Sequence, residues 1–226
     1  MRLGMEHRSL SEGGRHGRKM AQRIDKVTSC VPLGIPLVER SRAMLPLATL
    51  ALIGYFPKRV MQRPTSLKAA SVKAIRSVSE CMSKGPPNWM ERWTHNEMWV
   101  YDTIAAAWAV VPAEERDDYE MQAYRILPMK WDEGKSVKVE LPELCIEPLP
   151  EGFESAGFDA VSLEEGTAGF GHSPLSCNGM AEQIPTNEHC LLDDVEMAAR
   201  VAGRFSRGNA EPGPYYVVEV LRQVER

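Results

Sequence analysis

The sequence has no apolar run long enough to cross a bilayer. Its longest, AMLPLATLALIGYF from Ala43 to Phe56, covers 14 residues, against the ~20 that a span needs. Pro46 and Gly54 also interrupt it. Arg40 and Arg42 precede this run as in a signal peptide, but Tyr55-Phe56-Pro57-Lys58 follows where a small-residue cleavage site would stand. Clustered cysteine is missing too. Cys30, Cys81, Cys145, Cys177 and Cys190 are odd in number, widely spread and without a CxxC pair, unlike the dense framework of a secreted disulfide scaffold. They read as reduced thiols in a cytoplasm, each by default a small buried apolar side chain. There is no GxGxxG, no GxxxxGK[S/T] and no HExxH, so the common nucleotide-binding and metalloprotease readings have no support. No repeat of 20–50 residues is visible, which argues against a solenoid.

What is present is uneven in charge. Residues 1–63 hold 12 of the 27 Lys and Arg but 4 of the 31 Asp and Glu, a local net charge of +8, while residues 64–226 carry −12. A basic arm on an acidic body reads as an extension, residues 1–54, on a single domain, residues 55–226. Residues 1–20 are rich in Gly, Arg, Ser and His and poor in apolar side chains, the composition of disorder. A start at Met20 or Met44 would also account for them. The arm lacks interleaved aromatics, so it carries no nucleic-acid motif.

Two helices are expected in the first half of the body. From Ser66 to Ser83, Leu67, Ala70, Ala74, Ile75, Val78, Cys81 and Met82 recur at helical spacing, with Ser66 as cap and Gly85-Pro86-Pro87 as stop. From Asn88 to Val111, Trp89, Trp93, Val100, Ile104, Ala107, Trp108 and Val111 form a second stripe, closed by Pro112. Tryptophans at helical spacing imply a buried face, with a ligand-stacking platform as the rarer reading.

Strands are expected afterwards, around 119–129, at Val137, Val139 and Leu141, at 158–162 and at 189–192. Asp193 and Glu196 have capping-box spacing before a helix over 194–206. Tyr215–Leu221, YYVVEVL, is the strongest strand signal. Together these predict an α+β fold. A helical N-terminal half packs on a small mixed β-sheet, which ends in a C-terminal strand-helix-strand unit.

Chemistry concentrates in residues 169–191, GFGHSPLSCNGMAEQIPTNEHCL. Cys177 before Asn178-Gly179 places a thiol at a tight turn. His172 or His189 is its candidate base, and Glu182, Glu188 or Asp194 the group that orients that base. His172, Cys177, His189 and Cys190 are also a zinc-type ligand set, although their spacing matches no common pattern. The bland reading is that these side chains are ordinary packing. His95-Asn96-Glu97 and Glu219 are further acid–base candidates. Three functions follow. The first is an interaction or regulatory protein, antitoxin- or immunity-like, whose acidic body suits a basic protein partner. The second is a small cysteine-dependent hydrolase or transferase using Cys177. The third is a zinc-binding protein.

Overall fold

The longest strands form where aromatic and β-branched residues are densest. In the computed structural model, which describes residues 49–92, 94–163, 171–208 and 213–224, strand β1 is Ala51–Lys58, β4 is Glu120–Asp132, β6 is Phe153–Ser162 and β7 is Tyr215–Gln223. They lie in the order β1-β4-β7-β6, with β5 (Lys135–Lys138) hairpinned onto β4. Every pairing is antiparallel. A second small ladder pairs β2 (Met61–Gln62) with β3 (Ala74–Ile75). All described residues lie in the unit Ala43–Arg226. The residues of the basic arm up to 48, Trp93 and residues 164–170, part of which the sequence reads as a loop, lie outside the described residues.

Both faces of the sheet are covered, which explains the unbroken apolar run in β7. All seven residues from Tyr215 to Leu221 are buried. Tyr215 and Val217 join the core beneath helix α3 (Val195–Phe205), with Leu127, Trp131, Ala202 and Phe205. Tyr216, Val218 and Val220 join a larger core with Ile53, Tyr55, Trp89, Tyr101 and Tyr124. This is the two-residue side-chain period of a strand, with apolar partners on both sides. The one acid in the run, Glu219, is buried and pairs with Arg125, its cross-strand partner on β4, at 2.6 Å. It closes an ion pair between strands.

The helical N-terminal half is not there. Residues 66–83 contain no helix among the described residues, only turns and β3. Ala70 and Cys81, both on the expected apolar stripe, are exposed, while Ser77, Ser79 and Ser83 are buried. The serines explain the difference. Ser77 Oγ accepts from the Ser79 N–H (3.1 Å) and Ser79 Oγ accepts from the Cys81 N–H (3.2 Å), local bonds that compete with helical ones.

The second long helix is cut as well. It is reduced to a 3-10 turn at Trp89–Arg92 and to α1, Ile104–Ala109. Asn88 and Trp99 take positive φ, at 58° and 60°, outside the helical range. Asn96 Oδ1 accepts from the Met98 N–H at 2.9 Å and folds the chain into a turn. Thr103 then caps α1 by accepting from the Ala106 N–H at 3.0 Å. His95 stacks on Trp99 with ring centroids 4.4 Å apart.

The C-terminal unit is corrected in two respects. Residues 189–192 are not a strand of the sheet. Asn187 Oδ1 accepts from the His189 and Leu191 N–H groups, and Cys190 sits at φ 62°, a turn rather than an extended run. Leu192 then makes a single bridge to Phe158, close enough that a Cβ on Gly157 (φ +128°) would stand 2.7 Å from the Leu192 carbonyl oxygen. The sheet is also antiparallel rather than mixed, so β6, α3 and β7 form no parallel crossover. Helix α3 does form, capped by Asp194, which accepts from the Met197 N–H at 2.6 Å, one residue later than the capping-box spacing places it.

Candidate functional site

Two buried charges of opposite sign hold the site together. Lys58, the last residue of β1, is 1% exposed. Its ammonium donates to the carbonyls of Val78 (3.0 Å), Ser79 (3.4 Å) and Ser83 (2.7 Å) and to Glu80 Oε1 (2.6 Å). Glu80 Oε2 accepts from the Gly85 N–H at 2.9 Å. The chain over 78–85 is therefore wound around one cation, which satisfies carbonyls that have no helix or sheet to bond. Burial lowers the Lys58 pKa, and the Glu80 carboxylate opposes that shift.

Asp159, in the middle of β6, is fully buried. Its carboxylate accepts from Ser77 Oγ (2.9 Å), the Val78 N–H (3.1 Å) and Ser173 Oγ (2.6 Å). Desolvation raises its pKa, and the hydrogen bonds from Ser173, Ser77 and Val78 hold it down. Ser77 begins the segment that carries Cys81, and Ser173 follows His172. Asp159 thus ties together two segments that are far apart in sequence.

Where they meet, Cys81, His172 and Cys177 converge. One ligand atom of each lies within 4.8 Å of the others. Cys81 Sγ is 3.1 Å from His172 Nδ1, across 91 residues of sequence. Cys81 and His172 are exposed and Cys177 is intermediate. Cys177 ends the one-turn helix α2 (Pro174–Cys177), its N–H donating to the Ser173 carbonyl at 2.8 Å. The Ser79 hydroxyl bridges the two thiol segments. It accepts from the Cys81 N–H and lies 3.4 Å from Cys177 Sγ. Burial raises the Cys177 pKa, the Cys81 charge adds to this, and the Ser79 hydroxyl lowers it. A bound cation would reverse that balance and deprotonate the thiol outright.

The group could hold a metal ion. Two thiols and an imidazole are a zinc-type donor set, and bond lengths of ~2.3 Å to sulfur and ~2.0 Å to nitrogen put tetrahedral ligand atoms roughly 3.5–3.8 Å apart. The Cys81–His172 contact of 3.1 Å must open slightly to meet that, and the ligand atoms all lie within 4.8 Å of one another.

The other residues singled out in the sequence go elsewhere. His189 Nδ1 lies 2.7 Å from Arg76 Nη1. A guanidinium only donates, so this nitrogen is the acceptor. Arg76 in turn pairs with Glu120 at 2.9 Å. Burial, Arg76 and Arg222 lower the His189 pKa. Cys190 is buried beside Leu67, Val72 and Ile75, and burial pushes its thiol up to about 12. Glu188 pairs with Lys73, Glu182 accepts from the Lys68 N–H at 2.9 Å, and Asp194 caps α3. Sequence reasoning placed His172 and Cys177 at the centre and missed Cys81, Ser79, Asp159 and Lys58. Cys81 was hidden because it fell on an apparent apolar stripe. Asp159 was the one available signal, a lone acid inside the apolar strand FDAVS.

No family model, no curated protein and no solved structure matches this chain.

Proposed function

We propose that the protein binds a zinc ion through Cys81, His172 and Cys177, and that this centre is its functional site. The observation that carries the reading is the convergence of the three ligand atoms within 4.8 Å, from segments tied by one buried carboxylate. Three protein ligands leave a fourth position, which at this exposed place falls to water, the arrangement of catalytic rather than closed structural zinc sites. Zinc in such a site acts as a Lewis acid and lowers the pKa of bound water, which suits hydrolytic chemistry. The chain's own share is to orient the ligands. Asp159 and Lys58 set the two segments, and the Ser79 hydroxyl supports the Cys177 sulfur.

The test is cobalt(II) substitution. Titration should give sulfur-to-cobalt charge-transfer absorption at one equivalent. Cys81→Ser, His172→Ala and Cys177→Ser should each weaken binding by more than about 100-fold, since outer-shell changes alone cost 10–100-fold. Stoichiometric binding that survives all three substitutions would overturn the assignment.

The 3.1 Å contact between Cys81 and His172 favours one second reading, a cysteine nucleophile with an imidazole base. It moves the nucleophile from Cys177 to Cys81. Rapid alkylation of Cys81 well below the ordinary thiol pKa, in protein that takes up no metal, would favour it. The partner-binding reading keeps the acidic body as its support. The large apolar side chains exposed among the described residues, Met61, Met90, Val137 and Val224, come from four separate segments.

A further inference from the structure

The two sulfurs of the cluster differ in a way that metal binding does not require. Cys81 is exposed and sits beside His172. Cys177 is partly buried behind it, against the Ser79 hydroxyl. The sulfurs lie within 4.8 Å of one another, and a disulfide needs ~2.05 Å. Closing that gap requires a shift of roughly 3 Å or less. Lys58 and Asp159 hold the residues on either side, so the exposed Cys81 side chain itself must supply most of it.

We propose that Cys81 and Cys177 form a redox pair, in which a hydroperoxide oxidises Cys81 and Cys177 resolves it into a disulfide. The bond itself stands on the geometry of the two sulfurs. Its consequence, release of the metal, rests on the zinc reading above. His172 Nδ1 takes the Cys81 proton. The thiolate attacks the peroxide, so the S–O bond forms, the O–O bond breaks and the leaving oxygen takes the proton back from His172 to depart as water or an alcohol. The Cys177 sulfur then attacks the sulfenic sulfur. The S–S bond forms, the S–O bond breaks, and the hydroxyl departs as water with the Cys177 proton. Two thiols lose two electrons and the peroxide gains them. The roles follow from exposure. Cys81, exposed beside an imidazole, is the thiol a peroxide reaches, and Cys177 is partly buried behind it. A disulfide removes two of the three metal ligands, and His172 alone does not hold the ion.

The experiment uses the folded full chain, metal-free and zinc-loaded, with hydrogen peroxide as the probe. Peptides are mapped without reduction, and freed zinc is read with a chromogenic chelator. The expected result is a Cys81–Cys177 linked peptide in both samples, with one zinc released per link and both changes reversed by a dithiol. Cys177→Ser should trap a sulfenic acid at Cys81, labelled by dimedone about tenfold or more over Cys145, which is also exposed. Cys145→Ser should leave the link unchanged. Links to Cys145, or dimedone labelling of Cys145 equal to that of Cys81, would overturn the pair. Zinc bound with no linked peptide also overturns it and leaves the metal reading standing. A linked peptide in protein that never takes zinc does the reverse.

Discussion

Lys58 shows how one side chain can decide a segment's structure. Four acceptors converge on its ammonium, and three are main-chain carbonyls that a helix would otherwise have used. Lys58→Met should leave the three carbonyls without this donor and the Glu80 carboxylate with the Gly85 N–H but no cation. Removing one partner of a buried pair costs about 3–5 kcal/mol. Glu80 is about one-third exposed, so the loss should fall at the lower end, read as a drop in the urea midpoint. Asp159→Asn keeps the shape but replaces one carboxylate oxygen with an NH2 group, which then faces either Ser173 Oγ or the pair Ser77 Oγ and Val78 N–H. It should cost about 1–3 kcal/mol and weaken cobalt binding by about 10–100-fold as an outer-shell change. Retained affinity with lost stability would show that Asp159 holds the fold and not the ligands. His189 gives a pH signature. Its folded pKa lies below 6.5, so the unfolded chain takes the proton first. Its contribution is fully present above 6.5 and is lost as pH falls through the window between 6.5 and the folded value. His189→Gln should flatten the stability slope in that window relative to wild type.

At the scale of elements, β4, β7, the end of β6 and the last helix were legible, while β1 and the irregular course of residues 66–111 were not. YYVVEVL became β7 because aromatic and β-branched side chains fit a pleated surface buried on both sides. Residues 194–206 became α3 because its apolar stripe had a cap and a sheet to lie on. The stripe at Leu67, Ala70, Ala74 and Val78 was equally periodic, yet Ala70 is exposed while Val72, Ser77 and Ser79, off the stripe, are buried. Periodicity records spacing, and it cannot show that Lys58 and Asp159 will take over the hydrogen bonds of that stretch. Helix α3 itself offers a modest test. Asp194→Ala removes the cap on the Met197 N–H and should cost about 1 kcal/mol by urea unfolding, while Asp193→Ala should cost little.

At the scale of the molecule, the site exists only in the folded chain. Cys81 and His172 are 91 residues apart, so an unfolded chain does not assemble the set and the proposed metal would add to folding stability. Zinc at about 100 times its dissociation constant should stabilise the protein by about 2.7 kcal/mol, read as a raised unfolding midpoint that Cys81→Ser abolishes. Among the described residues no helix is long and apolar enough to cross a membrane, in line with the short apolar runs of the sequence.

By itself the sequence determined strand-forming segments within β4, β6 and β7, the position of α3 and two of the three side chains that converge. Those are local properties, since strand propensity, caps and the Asn178-Gly179 turn act within a few residues. The tertiary structure alone decided that residues 66–111 are mostly irregular, that the sheet is antiparallel, and that Cys81 completes the cluster. Each depends on contacts across large sequence separations. The Lys58 ammonium captures carbonyls about twenty residues on, and Asp159 joins Ser77 to Ser173. A buried charge must find its partners wherever the fold brings them, and that requirement overrode the local pattern.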